Sequence, residues 1–195
     1  MAGNEAPRKR AVFLDRDGTL NVEKNYLYRP EDFEFLPGVP EAIRRLREHG
    51  FLVVVVTNQS GVARGYFTLA EVDLLHRHVE KLLAFYGTAI DGFYVCPHHP
   101  DGISPYRVKC GCRKGEAGML LKAAADFGID LKRSFMVGDK AADLEAGEKA
   151  GCRPLLVLTG YGEQTAKQLP PGRVPVFRDL AAAVDFLLAP VSAAH

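Results

Sequence analysis

The sequence lacks a long apolar segment and an excess of charge of either sign, and both absences exclude classes of protein. The strongest apolar run, residues 51–56, is much shorter than the roughly 20 residues of a membrane span. The 25 basic residues nearly balance the 24 acidic ones, whereas dedicated nucleic-acid binders usually carry a basic excess. Residues 1–10 contain no hydrophobic stretch typical of a secretion signal. We therefore expect a cytoplasmic protein that binds neither membranes nor nucleic acid.

Cysteine is scarce, and its placement is uneven. Three of the four cysteines lie within residues 96–112, together with two histidines. Without an export signal, such a cluster is more typical of a metal site than of a disulfide framework. The fourth, Cys152, precedes an apolar run and is expected to be a small buried hydrophobic residue.

Apolar runs of strand length alternate with segments of helical periodicity along the chain, and no internal repeat interrupts them. The predicted strands are residues 11–14, 51–56, 92–96, 134–137, 154–158 and 174–177. The predicted helices are residues 38–49, 68–86, 116–127, 141–150 and 180–188. Polar residues 165–173 are predicted to be a surface connection. This alternation predicts an α/β fold with a parallel sheet covered by helices on both faces. The length fits one domain, residues 1–195.

Polar residues follow three of the predicted strands. Because the carboxyl ends of parallel strands share one edge of a sheet, we expect these residues to meet there. Asp15, Asp17 and Asp139 can form an oxygen-rich pocket for Mg²⁺. Donors and positive charge suited to a phosphoryl group are also available: Thr57, Asn58, and Lys114 or Lys140.

The spacing of Asp15 and Asp17 suits phosphoryl transfer. The first carboxylate can attack phosphorus, and the second can act as general acid and then as general base. Each piece alone has an ordinary explanation as a turn or a helix cap. Two other classes stay open: a phospho-accepting signalling domain would not need Asp17 as acid/base, and a zinc-dependent interaction module would need no magnesium cluster.

The metal loop contains two pairs of ligands, each with a one-residue gap. Residues two apart in extended backbone point to the same side, so Cys96 with His98 and Cys110 with Cys112 could form two halves of a tetrahedral site. Thiolate and imidazole ligands suit structural Zn²⁺. We expect this zinc site, at residues 96–112, to hold the residues that follow it directly, Arg113 and Lys114.

Four ordered motifs resemble those of the haloacid dehalogenase superfamily over residues 11–160: residues 15–21, residues 57–60, Lys114 and residues 138–143. Residues 55–65 and the Cys/His loop are similar to the branch that contains heptose-bisphosphate phosphatases, and histidinol-phosphate phosphatases form a sister group. The resemblance implies a Rossmann-like three-layer core without a large cap domain. It also implies a monomeric, Mg²⁺-dependent phosphomonoesterase that acts through an aspartyl-phosphate on a small phosphorylated sugar. The implied reaction removes the C7 phosphate of D-glycero-D-manno-heptose 1,7-bisphosphate, with histidinol phosphate as the alternative substrate.

The resemblance also implies roles for individual residues. Asp15 would be the nucleophile and a magnesium ligand, Asp17 would be the acid/base and bind magnesium through its backbone carbonyl, and Asp139 would complete the protein ligands. Thr57 and Lys114 would hold the phosphoryl group. Arg113 would recognise substrate. Further residues implied to line the pocket are Arg16, Glu23, Lys24, Asn25, Tyr26, Asn58, Gln59, Ser60 and Lys140. The zinc ligands would be Cys96, His98, Cys110 and Cys112.

Overall fold

A computed structural model describes residues 8–190 of the chain. Residues 1–7, on which part of the expectation about secretion rests, lie outside the described residues. The strands are Arg10–Leu14 (β1), Phe51–Asn58 (β2), Gly92–Cys96 (β3), Phe135–Gly138 (β4), Arg153–Val157 (β5) and Val176–Phe177 (β6). The helices are Val39–Glu48 (α1), Ser60–Ala63 (α2), Leu69–Phe85 (α3), Gly118–Phe127 (α4), Ala141–Ala150 (α5), Gly162–Gln168 (α6) and Leu180–Leu188 (α7).

The six strands form one parallel sheet in the order β3-β2-β1-β4-β5-β6. One core packs α1, α3 and α7 against one face of the sheet, and a second core packs α4 and α5 against the other. The predicted α/β sandwich is therefore confirmed. From β1 the chain adds β2 and β3 on one side of the sheet, and it then adds β4, β5 and β6 on the other side. Ligands of such sheets bind at the carboxyl edge, next to the point between β1 and β4 where the strand order reverses.

Local sequence explains the elements that frame the site. Valines fill the centre of β2, a β-branched run that favours a strand buried on both faces. The α3 helix begins with a capping box: Thr68 Oγ1 accepts from the Glu71 backbone N–H, and the Glu71 carboxylate accepts from the Thr68 backbone N–H. These two elements carry the chain to and from the carboxyl edge of the sheet.

Three details differ from the predictions. Residues 165–173 are not entirely a surface connection, because α6 continues to Gln168 and buries Thr165. The short α2 and two 3₁₀ helices, Pro30–Asp32 and Leu131–Arg133, had no recognisable periodicity because each spans only about one turn. Strand β2 extends through Asn58, so two of the predicted site residues lie on the strand itself.

The carboxyl edge of the sheet is open. The two long connections beside it, residues 15–38 and 97–117, contain one 3₁₀ turn and no other helix or strand, so no large cap domain covers the edge within residues 8–190. In the same part of the chain, no helix combines the length and apolarity needed to cross a bilayer.

Candidate active site

A cluster of three buried carboxylates lies at the point where the sheet reverses. Asp15 follows β1, Asp139 follows β4, and Asp143 lies in the first turn of α5. Each offers an oxygen atom, and these oxygens lie within 4.8 Å of one another. So many negative charges in a buried site require a positive charge between them.

Lys114 supplies part of that positive charge. Its buried ammonium nitrogen is 2.5 Å from Asp15 Oδ1 and 2.8 Å from Asp143 Oδ1. Burial and the neighbouring Asp143 raise the pKa of Asp15 to about 8, although Lys114 acts in the opposite direction. Burial is also the main reason that the pKa of Asp139 rises to about 6. The lysine therefore does not fully compensate the cluster.

The cluster fits a divalent cation. Asp139 Oδ1 is buried without a hydrogen-bond partner in the described structure, whereas Oδ2 accepts from the Tyr161 backbone N–H at 2.7 Å. A free carboxylate oxygen facing other carboxylates is the donor that Mg²⁺ prefers. Gly18 leaves room for Asp139: its φ is +88°, and a Cβ there would lie 2.3 Å from Asp139 Oδ2.

The Asp17 side chain is turned away from this cluster. Its carboxylate accepts from Arg16 at 2.9 Å, Asn21 at 3.1 Å and Gln59 at 3.0 Å. Burial would raise the pKa of Asp17, but Arg16 and the two amides together lower it. Asp17 is therefore held as a carboxylate at the edge of the cleft.

Arg16 is fully buried, and its side chain lines neither of the two cavities beside the carboxylates. Besides Asp17, its guanidinium contacts the Leu27 carbonyl at 2.8 Å and His76 Nε2 at 3.4 Å. Because a guanidinium only donates, His76 must accept and be neutral. Burial and the charge of Arg16 lower the pKa of His76 to about 3. Only the backbone of Arg16 faces the site, with its N–H 2.7 Å from Asp15 Oδ1.

A cleft of about 250 Å³ opens above the carboxylates. It is lined by Asp17, Glu23, Asn25, Tyr26, Asn58, Gln59, Ser60, Lys140 and Tyr161. A recess of about 50 Å³ below it is lined by Asp15, Asp17, Thr57, Asn58, Lys114, Lys140, Ala142 and Asp143. The arrangement suits a phosphoryl group in the recess and the rest of a small polar molecule in the cleft.

Lys24, a predicted pocket residue, lies elsewhere. Its ammonium donates to the Asp32 carbonyl at 2.8 Å and pairs with Glu34 at 3.2 Å. By contrast, Lys140 pairs with Glu23 at 3.1 Å within the cleft wall. The structure thus brings most of the predicted pocket residues together, with the side chains of Arg16 and Lys24 apart from them. Arg113 also lines neither the cleft nor the recess, but a separate surface cavity beside Glu116 and Glu145.

The Cys/His residues also meet in space. The Sγ atoms of Cys96, Cys110 and Cys112 lie 3.1–3.5 Å apart, and His98 Nδ1 is 3.3 Å from Cys112 Sγ and 3.8 Å from Cys96 Sγ. A tetrahedral zinc with bonds of about 2.3 Å separates its ligands by about 3.8 Å. The four donor atoms are therefore close to the spacing that zinc requires.

Three hydrogen bonds hold the two residues that directly follow this loop. Arg113 Nη1 donates to the His98 carbonyl at 3.1 Å. The Asn58 side chain accepts from the Lys114 backbone N–H at 2.9 Å and donates to the Lys114 carbonyl at 3.2 Å. Since Asn58 ends β2, the central sheet and the Cys/His loop together determine where the lysine ammonium lies.

Two residues of the site were given no role from the sequence. Asp143 ends the fourth motif, four residues after Asp139, but no function was assigned to it. Tyr161 follows β5 and lines the cleft, but no motif in the sequence marks it.

Comparison with known proteins identifies the family of the chain. The HAD-hydrolase-like family model matches residues 111–183. The D-glycero-beta-D-manno-heptose-1,7-bisphosphate 7-phosphatase of Haemophilus ducreyi is 49% identical over 154 residues, which cover 78% of this chain and 85% of that protein. The D-glycero-D-manno-heptose-1,7-bisphosphate 7-phosphatase of Thermosynechococcus vestitus is 42% identical over 91% of this chain and 94% of its own length.

A solved structure shows the same architecture. The D,D-heptose 1,7-bisphosphate phosphatase from B. bronchiseptica, complexed with magnesium and phosphate, is 40% identical and has a TM-score of 0.83. The match covers 92% of this chain and 98% of that one. The chain therefore belongs to the family of HAD-like hydrolases that contains the heptose-1,7-bisphosphate 7-phosphatases, and it is a phosphatase.

Proposed function

We propose that this chain is an Mg²⁺-dependent phosphomonoesterase that removes the C7 phosphate of D-glycero-D-manno-heptose 1,7-bisphosphate and leaves heptose 1-phosphate. The observation that carries the proposal is the position of Asp15. Its carboxylate lies at the base of a phosphoryl-sized recess, 2.5 Å from the Lys114 ammonium and beside Asp139. Relatives of 42–49% identity bear the names of heptose-bisphosphate phosphatases.

Asp15 is the proposed nucleophile. One of its oxygens forms a bond to phosphorus while the bond from phosphorus to the sugar oxygen breaks, which leaves an aspartyl-phosphate. Water then attacks this phosphorus, and the Asp15 carboxylate is released with inorganic phosphate. Lys114 and Thr57 hold the phosphoryl oxygens during both steps.

Asp17 is the proposed acid/base. It gives a proton to the departing sugar oxygen and later takes one from the attacking water. In the structure its carboxylate is paired with Arg16, the state suited to a base. To act as an acid it must leave Arg16 and turn toward the leaving oxygen.

Mg²⁺ is held in this proposal by Asp15, Asp139 and the backbone carbonyl of Asp17. When bound, the cation supplies positive charge that keeps the carboxylates ionised and offsets the charge of the phosphoryl group. Asp143 stays with Lys114, whose ammonium is 2.8 Å away.

Zn²⁺ is the proposed occupant of the Cys96, His98, Cys110 and Cys112 cluster. A closed set of four sulfur and nitrogen ligands leaves no open position for substrate, so the role is structural. Through the contact of Arg113 with the His98 carbonyl, the metal holds the substrate-recognising Arg113 and the neighbouring Lys114 in place. The enzyme is further proposed to be a cytoplasmic, single-domain monomer.

The test is phosphate release with Mg²⁺ from a panel of substrates. The panel contains the α and β anomers of heptose 1,7-bisphosphate, fructose 1,6-bisphosphate and histidinol phosphate. We expect one heptose anomer to be preferred at least about tenfold in kcat/KM, or about 1.4 kcal/mol in transition-state binding. Asp15→Asn serves as the inactive control. A preference for histidinol phosphate would contradict the substrate while leaving the phosphatase chemistry intact.

A further inference from the structure

Tyr161 connects parts of the site that are far apart in the sequence. Its backbone N–H donates to Asp139 Oδ2 at 2.7 Å. Its hydroxyl lies 3.3 Å from Asn25 Oδ1, and the Lys140 ammonium lies over its ring, 4.6 Å from the centroid. One residue thus contacts the carboxylate cluster with its backbone and the cleft wall with its side chain.

The backbone of this loop is held independently of the tyrosine side chain. Thr159 Oγ1 donates to the Gly18 carbonyl at 2.6 Å, and the Gly162 N–H donates to the Thr159 carbonyl at 2.8 Å. Gly160 packs so closely on Gly18 that a Cβ added there would lie 2.6 Å from the Gly18 Cα. Changes to the Tyr161 side chain should therefore leave the contact with Asp139 in place.

The Tyr161 hydroxyl orients Asn25. A side-chain amide oxygen can only accept, so the phenol must donate to it, which leaves the amide N–H groups of Asn25 as donors for a ligand in the cleft. Asn25 also adopts a left-handed backbone with φ of 49°, and its N–H donates to Glu23 Oε1 at 2.9 Å. This costly conformation has to be maintained by its neighbours.

The tyrosine ring restrains Lys140 in the same wall. The ammonium is held between the ring face and the Glu23 carboxylate, 3.1 Å away. Asn25 and Lys140 are thereby presented together as donors, which is the arrangement suited to the hydroxyl and phosphate oxygens of a phosphorylated sugar.

We propose that Tyr161 is a positioning residue that determines how well the cleft binds the sugar part of its substrate, by orienting Asn25 and Lys140. The inference rests on the proposed function for the identity of that sugar. It adds a residue outside the recognised motifs and assigns it to substrate binding, separate from the chemical steps at Asp15.

The test compares Tyr161→Phe, which keeps the ring and loses the hydroxyl, with Tyr161→Leu, which loses both. Each is assayed with heptose 1,7-bisphosphate and with p-nitrophenyl phosphate, which has no sugar. For Tyr161→Phe we expect KM for the heptose to rise about threefold to tenfold, the range for one hydrogen bond, with kcat within about twofold. Tyr161→Leu should raise KM for the heptose further. In this variant kcat/KM should fall more for the heptose than for p-nitrophenyl phosphate. Tyr86→Phe, at an exposed tyrosine beyond α3, is the matched control.

Equal losses for the two substrates, or an unchanged KM in both variants, would overturn the inference. Hydrogen exchange at the backbone N–H of Asn25 in the substrate-free protein gives a readout without turnover. We expect faster exchange in Tyr161→Leu than in the wild type and in Tyr86→Phe, and equal exchange would also refute the inference. If the wild type fails to hydrolyse the heptose, the proposed function fails, and the exchange experiment still decides whether Tyr161 orders Asn25.

Discussion

Replacement of Gly18 by alanine should lower both the stability of the protein, through backbone strain, and its activity, through displacement of Asp139. Gly18 has φ of +88°, and an alanine there costs about 1–2 kcal/mol of unfolding free energy. The new Cβ would also lie 2.3 Å from Asp139 Oδ2, so the carboxylate would have to move by about 1 Å to reach ordinary contact. A misplacement of about 1 Å at a reacting centre can cost about a hundredfold in rate.

Gly50→Ala is the matched control for this prediction. Gly50 has φ of +77°, and a Cβ there would meet nothing within 4 Å. Urea denaturation should therefore show a similar loss of stability from the backbone in both variants, with an added loss from the clash in Gly18→Ala. In a phosphate-release assay at saturating Mg²⁺, only Gly18→Ala should lose about a hundredfold in kcat/KM. Activity of Gly18→Ala within twofold of Gly50→Ala would refute the argument that Asp139 needs this space.

Three further predictions concern the supports of the site. Asp143→Asn should lower kcat about tenfold to a hundredfold in steady-state assays, because the Lys114 ammonium loses one of its two carboxylates; unchanged kcat would exclude this role. Burial lowers the pKa of His76 to about 3, so near pH 6.5 this histidine binds a proton in the unfolded chain but stays neutral in the folded protein. The free energy of unfolding therefore falls as the pH drops below about 6.5. Between pH 7 and pH 5, denaturation should therefore show the wild type losing about 2 kcal/mol more than His76→Gln, and equal losses would contradict the burial argument. Metal analysis by mass spectrometry should find one zinc per chain in the wild type and in Cys152→Ser, and none in Cys110→Ser, whose activity should fall; zinc retained in Cys110→Ser would exclude the site.

The proposed zinc loop would affect the reaction only by holding Arg113 and Lys114 in place. The His98 carbonyl holds the Arg113 guanidinium, and the Asn58 side chain holds both the backbone N–H and the backbone carbonyl of Lys114. These contacts place the loop, the end of β2 and the lysine ammonium in one connected unit. Loss of the metal should therefore change the recess before it changes the sheet.

The sequence by itself determined the α/β architecture and the edge at which the site lies. Alternating buried strands and helices allow few topologies, and the carboxyl ends of parallel strands must share an edge. Asp15 and Asp139 follow such strands and Thr57 lies in the last two residues of another, so their meeting was predictable from local pattern. The one-residue gaps in the Cys/His loop likewise predicted that Cys96 with His98 and Cys110 with Cys112 would meet in one cluster.

Only the tertiary structure decided where the side chains point and which distant residues join them. Asp17 accepts from its sequence neighbours Arg16 and Asn21, but also from Gln59, which lies 42 residues away in the chain and which only the fold brings to it. Tyr161 reaches Asn25 across 136 residues of sequence, a contact with no local signature. Local periodicity records which face of an element is buried, whereas such contacts depend on rotamers and on the packing of segments far apart in the chain.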